Sequence, residues 1–154
     1  RKLRRTNDRI LGAEFHLAES APRRREGVAA GWRGRERVLV SNRERTLTDA
    51  LIDPAWVGGI RSLADIFRSY RASREWSTAK LIADLSLVGT GAAFKRLGFL
   101  TETLMSEELA LIAAARARRT AGIVKLDPSI RSRGTLSKRW GLWINASVGS
   151  TGAT

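Results

Sequence analysis

Read from the N-terminus, the alternation of apolar and polar positions gives short strands first. Arg9 to Ala18 carries Ile10, Leu11, Phe15 and Leu17, and Arg35 to Val40 closes on the β-favouring run Val38-Leu39-Val40. Between them "APRRREG" and "GWRG" supply Pro22, Gly27, Gly31 and Gly34 as turn residues. A small, partly antiparallel sheet is expected here.

From Ser41 the apolar positions fall into helical spacing. Ser41 followed by Glu44 predicts a capping box, in which each side chain satisfies a backbone N–H left open at the helix start. Leu47, Ala50 and Leu51 form one stripe, Arg45 and Asp49 stand four apart and can pair, and Asp53-Pro54 ends the helix. A second helix is predicted from about Gly59, with Ile60, Leu63, Ala64 and Phe67 on one side. A third is capped by Ser77 and stopped at Gly89. A fourth buries Ala93, Leu97, Leu100 and Leu104, and a fifth opens at Ser106 and closes at Arg118, Arg119 and Gly122.

Strand character returns at Ile123 to Leu126 and at Arg139 to Asn145, where Trp140, Leu142 and Ile144 alternate. Strands, helices and strands again predict an α+β domain. Its small mixed or antiparallel sheet is expected to come from the N- and C-terminal segments and to pack on a central block of about five helices. Residues 1-146 are expected to form this domain and 147-154, small and polar, a flexible tail.

Composition narrows the function. At 154 residues the chain suits one core, and 43% apolar residues suit a packed protein. With no cysteine there are no disulfides, thiol nucleophiles or cysteine-held zinc, and a reducing cytoplasm is the natural setting. No apolar run is long enough to cross a membrane and no signal peptide is visible, so no membrane partner is expected. The chain begins with Arg1 rather than methionine, which fits a fragment of a longer protein.

Charge changes the picture most, because a net +13 belongs to proteins that meet polyanions. Residues 1 to 45 hold 13 Lys+Arg against 6 Asp+Glu, residues 46 to 115 hold 7 against 8, and residues 116 to 154 hold 8 against 1. Two basic ends flank a balanced middle. If the ends converge, Arg23, Arg24 and Arg25, then Arg116, Arg118 and Arg119, then Arg131, Arg133, Lys138 and Arg139 form one face for DNA phosphates.

Catalytic signatures are sparse. The only histidine, His16, has no ligand partner in sequence, and there is no G-x-S-x-G. "GTGAAFKRLG" lacks the G-K-[ST] ending of a phosphate loop and reads as a turn and a helix start. None of Lys2, Lys80, Lys95, Lys125 and Lys138 has an acid two residues before it, which removes the commonest metal-nuclease spacing. A nucleic-acid-processing enzyme would have to draw metal ligands from Asp49, Asp53, Asp65 and Asp84. The expectation is no enzyme, no cofactor and no metal. A protein-interaction module is the other alternative, motivated by Phe99 on the otherwise polar side of the fourth helix.

The stretch "VSNRERTLTDALIDPAWVGGI", Val40 to Ile60, resembles the V-S-x-x-E-R-T-x-x-D-x-L-x-x-P-x-x-x-G-G-I pattern of AbiEi-type antitoxins of type IV abortive-infection toxin–antitoxin systems. Asn42-Arg43 is its loose position. "FKRLGFLTE", "LDPS" and "RWGLWIN" resemble that family's later segments, in the same order, across about residues 10 to 146. The resemblance implies a structural role for Ser41, Glu44, Arg45, Thr46, Asp49, Pro54, Gly58, Gly59, Arg96, Leu97, Gly98, Trp140, Gly141 and Asn145. It also implies a cytoplasmic antitoxin that represses its own operon by binding operator DNA. Its nucleotidyltransferase-like toxin would be a functional partner without a stable complex. One departure stands out: no helix-turn-helix precedes residue 10, so the family's DNA-reading domain is expected to be cut away or encoded elsewhere.

Overall fold

The computed structural model describes residues 6–17 and 26–149. Among them, two β-hairpins precede five α-helices, and a three-stranded sheet follows, so the class is α+β with a helical block. Among the described residues the N- and C-terminal strands form separate sheets rather than the one sheet that the strand–helix–strand order predicts. The strand character read over Arg9 to Ala18 belongs to a hairpin, β1 (Thr6–Ile10) against β2 (Ala13–Leu17), turned at Leu11-Gly12. Of "GWRG" only Gly34 lies in a turn, with φ 62°. Gly31, Trp32 and Arg33 belong to β3 (Val28–Arg33), which pairs antiparallel with β4 (Glu36–Ser41).

The first helix, α1 (Arg43–Ile52), does not use the expected capping box. β4 runs through Ser41, which is exposed, and Asn42 becomes the cap: its Oδ1 accepts the Arg45 N–H at 2.8 Å. The Asn42 N–H donates to the Gly27 carbonyl at 2.8 Å, which fixes where the strand ends and the helix begins. Thr46 Oγ1 donates back to the Asn42 carbonyl at 2.9 Å. Glu44 instead turns inward and accepts a 2.6 Å hydrogen bond from Tyr70.

Asp53 stops α1 and caps a 3-10 turn, Pro54–Val57, in which Pro54 is buried. Gly58 then takes the left-handed conformation that an L side chain resists. α2 (Ile60–Arg71), α3 (Thr78–Val88, capped by Ser77), α4 (Gly91–Leu104) and α5 (Leu109–Arg118) follow. Ser106 does not open α5, which starts at Leu109 after a turn. α4 packs against α1, α2 and α5 at the centre of the block. Leu47, Leu51, Leu63, Phe67, Leu81, Leu97 and Leu100 are almost wholly buried, each such side chain contributing about 1.5–3 kcal/mol. Leu104 is only half-buried, and Phe99 is half-buried against the core rather than presented to solvent.

The C-terminal sheet runs β5 (Val124–Lys125), β7 (Leu142–Ile144), β6 (Thr135–Ser137), with β7 parallel to β5 and antiparallel to β6. Arg96 holds it to the helices. Its buried guanidinium donates to the carbonyls of Leu126 at 2.9 Å and Lys125 at 3.1 Å, and to those of Leu51 at 2.9 Å and Ile52 at 3.0 Å. Four carbonyls thus satisfy its donors. The core continues past the expected domain end. Val148 is buried, its carbonyl accepts from Arg68 at 2.6 Å, and only residues 150–154 of the expected tail lie outside the described residues.

Candidate nucleic-acid interface

The basic residues singled out by charge divide into three groups. Arg23, Arg24 and Arg25 lie outside the described residues. Arg116 and Arg118 stand in the exposed last turn of α5, where cations suit the negative end of the helix dipole, and the Arg118 guanidinium lies 5.9 Å from the Phe94 ring.

The remaining cations gather around the C-terminal sheet. Arg119 Nη1 donates to the Arg139 carbonyl at 2.5 Å, tying the end of α5 to the β6–β7 turn. Arg119 and Lys138 line one open groove of about 560 Å³, floored by Gly122, Ile123, Leu136 and Gly141. Gly141 has φ 63°, and a Cβ there would lie 2.9 Å from the Gly122 carbonyl oxygen, so glycine lets the two loops close on each other. Arg139 is partly neutralised, because it forms an ion pair with Glu102, which also accepts the Trp140 indole N–H at 2.8 Å.

Beneath this end of the molecule lies a cation that the charge pattern does not single out. Lys95 is 1% exposed, and its ammonium donates to the carbonyls of Gly122 at 2.7 Å and Ala121 at 3.4 Å. Burial, and then the positive charge of Arg119, lower its pKa. The signal is present in "GAAFKRLGFL", a helix apolar on nearly every side, where a lysine has to be enclosed.

Alternation across the three strands sorts the rest by face. Val124, Leu142 and Ile144 turn to the core. Lys125, Trp143 and Leu136 occupy one cross-strand row, Trp143 opposite both neighbours, and the row lies outside the core cluster. The Arg133 guanidinium sits 5.8 Å from the Trp143 ring. Lys125 Nζ donates to the carbonyls of Ile130 and Arg131 at 2.9 and 2.8 Å, folding the 126–134 loop over the end of the strand. Arg131 is exposed on that loop.

Several residues of the motif run make contacts inside the fold. Arg45 is buried, pairs with Asp49 at 2.9 Å and donates to the Glu26 carbonyl at 2.7 Å. Asp127 Oδ2 accepts the Ile60 N–H at 2.9 Å, capping α2 from a distant part of the chain. A Cβ on Gly59 would lie 2.8 Å from that oxygen. Asn145 brackets Asp127, accepting its N–H at 2.9 Å and donating to its carbonyl at 2.8 Å. Leu97 lies in the core and Gly98 meets the Trp140 ring.

Three of the four carboxylates considered for metal chemistry are engaged by neighbouring protein groups. Asp49 pairs with Arg45, Asp53 caps the 3-10 turn, Asp65 accepts from Arg68 at 2.7 Å, and Asp84 is buried beside Gly27. Among the described residues no group of three or more His, Cys, Asp or Glu is placed to hold a metal ion. His16 Nδ1 lies 2.7 Å from Asn7 Oδ1 in the first hairpin. No helix among the described residues is long and apolar enough to cross a membrane. Compared with models of protein families, with curated proteins and with solved structures, the chain matches none.

Proposed function

We propose that this chain is a non-enzymatic domain that meets the phosphate backbone of double-stranded DNA with Arg116, Arg118, Arg119, Arg131, Arg133, Lys138 and Arg139. The observation that carries the reading is the Arg119 bond to the Arg139 carbonyl, which brings the basic end of α5 against the basic β6–β7 turn. Residues 116 to 154 hold 8 Lys+Arg against 1 Asp+Glu, so local acids from that segment leave most of this charge available to an anion. Such contacts position a protein on DNA without reading bases. In the cell this is the role of a cytoplasmic antitoxin of the AbiEi type, repressing the operon it shares with a nucleotidyltransferase-like toxin. The motif run from Val40 to Ile60 supports that assignment by resemblance.

The test is duplex binding across a salt series. Six phosphate contacts predict a log-log slope of about −5. Replacing Arg116, Arg118 and Arg119 together by Gln should weaken binding and flatten that slope; unchanged binding rejects this face.

A further inference from the structure

The outer face of the C-terminal sheet carries more than charge. A surface that only meets phosphates has no use for an indole, and Trp143 is held at the middle of the face by its strand neighbours Leu136 and Lys125. Trp143 and Leu136 are half-buried and Ile123 is 51% exposed, and none of the three belongs to the core cluster. Removing them from water is therefore not what holds the fold. Arg133 lies over the Trp143 ring, and Arg119 and Lys138 border the groove that Leu136 and Ile123 line.

An aromatic and aliphatic floor edged by guanidinium and ammonium groups matches one class of polyanion. In duplex DNA the bases are stacked on each other and offer a flat protein face only phosphates. In a single strand they are unpaired and their faces are open. A base can stack on Trp143 with the Arg133 guanidinium beside it, while the sugar-phosphate chain follows Lys138 and Arg119. We infer that the outer face of β5–β7–β6 binds single-stranded nucleic acid, with Trp143 as the stacking residue, Arg133 beside it, and Arg119 and Lys138 on the backbone. The occupant follows from charge complementarity: the segment from residue 116 onward supplies 8 cations against 1 acid. This inference shares cations with the duplex reading but adds Trp143, which that reading does not need.

The experiment compares the full chain with Trp143→Ala and Trp143→Phe. The probes are an unstructured twelve-nucleotide oligo(dT), oligo(U) of the same length, a duplex of the same phosphate count, heparin and poly-glutamate. Removing a base-stacking residue should weaken single-strand binding by about tenfold. Phe should restore most of it, and duplex affinity should stay unchanged. Because Trp143 lies outside the core cluster, both variants should keep the parent's unfolding midpoint, and the Phe variant remains decisive even if the Ala variant is destabilised. Equal single-strand binding by parent and both variants overturns the inference while leaving duplex binding standing. Heparin binding as tight as oligo(dT) overturns it in favour of a plain polyanion surface, and poly-glutamate binding as tight overturns it in favour of an acidic protein partner. Single-strand binding that depends on Trp143, with no duplex binding, sustains it and rejects the duplex reading instead.

Discussion

Gly98 lies against the Trp140 indole: a Cβ at position 98 would fall 2.0 Å from Trp140 Cζ3 and 2.2 Å from Cη2. Gly98 is in the middle of α4, where glycine ordinarily costs about 1 kcal/mol relative to alanine. The indole cannot retreat, because it is 1% exposed and its N–H is held by Glu102. Gly98→Ala should therefore destabilise despite its better helix propensity. Overpacking typically costs about 1–3 kcal/mol. The contact distance puts this case at the upper end, for a net loss of about 2 kcal/mol after the propensity gain. Urea unfolding measures it, and Trp140→Leu in the Gly98→Ala background should recover part of the loss, as expected of a directly coupled pair.

Arg96→Lys is the next expected failure. Only a planar fork reaches four carbonyls on two sides, and an ammonium has three donors on a single atom. Buried carbonyls of α1 and β5 then lose their donor, at about 1–3 kcal/mol for each one left unsatisfied. Stability should fall by about 3 kcal/mol or more, with Arg96→Met at least as harmful. An unfolding midpoint within error of the parent for Arg96→Lys contradicts the clasp.

These two residues also mark what a sequence discloses. The helices are legible because their signals are local: Ser77 before α3, Gly89 after it, the stripe Leu63, Ala64 and Phe67, the Arg45–Asp49 pair four apart. The cap of α1 lies one residue beyond the expected Ser41, because the choice between Ser41 and Asn42 is made by the Gly27 carbonyl, far back in the chain. Glu44 reads as a cap for the same reason; its partner, Tyr70, is 26 residues away. Arg96 reads as part of a polar helix face, and it and Lys95 are buried because backbone carbonyls supplied by loops and strands replace water around them. β6 gives no signal, since three residues carry no period, and the central place of β7 follows from pairing that no local pattern encodes. For the interface, the charge is legible and the aromatic face is not. Trp143 reads as the polar side of an alternating strand, and only the register against Leu136 and Lys125 shows its row.

Asp127 gives stability a dependence on acid. Burial alone pushes its carboxyl up, but the Ser129 hydroxyl, the N–H groups of Ile60 and Ser129, and the Arg96 charge outweigh that and hold it below the ordinary value of 3.8. A depressed carboxyl stabilises the fold above its unfolded pKa and loses that contribution as pH falls through its folded one. Asp127→Asn should lower the melting temperature at neutral pH, and the gap from the parent should narrow below about pH 4. Parallel melting curves of the two proteins, separated equally at pH 7 and pH 3, contradict the assignment.

Asp84 predicts the opposite sign. Burial raises its carboxyl above 3.8, the Asp49 and Glu44 charges add to the rise, and the Arg45 charge pulls it down without prevailing. Its Oδ2 is buried without a hydrogen-bond partner, as is Thr48 Oγ1. A carboxyl whose folded pKa lies above its unfolded one favours the fold only while protonated. The fold gives that advantage up as pH rises from the unfolded value through the folded one. At neutral pH the site therefore disfavours an ionised carboxyl that water would hold better, with Arg45 already committed to Asp49. Asp84→Asn keeps the shape, removes the charge and offers an amide to Thr48, so it should raise the melting temperature at pH 7. The gain should shrink toward pH 3, where the parent carboxyl is protonated in both states. Thr48→Val should be tolerated in the Asp84→Asn protein less well than in the parent if the new amide reaches that hydroxyl. A neutral-pH melting temperature for Asp84→Asn below the parent's means that Arg45 depends on this carboxylate more than burial opposes it.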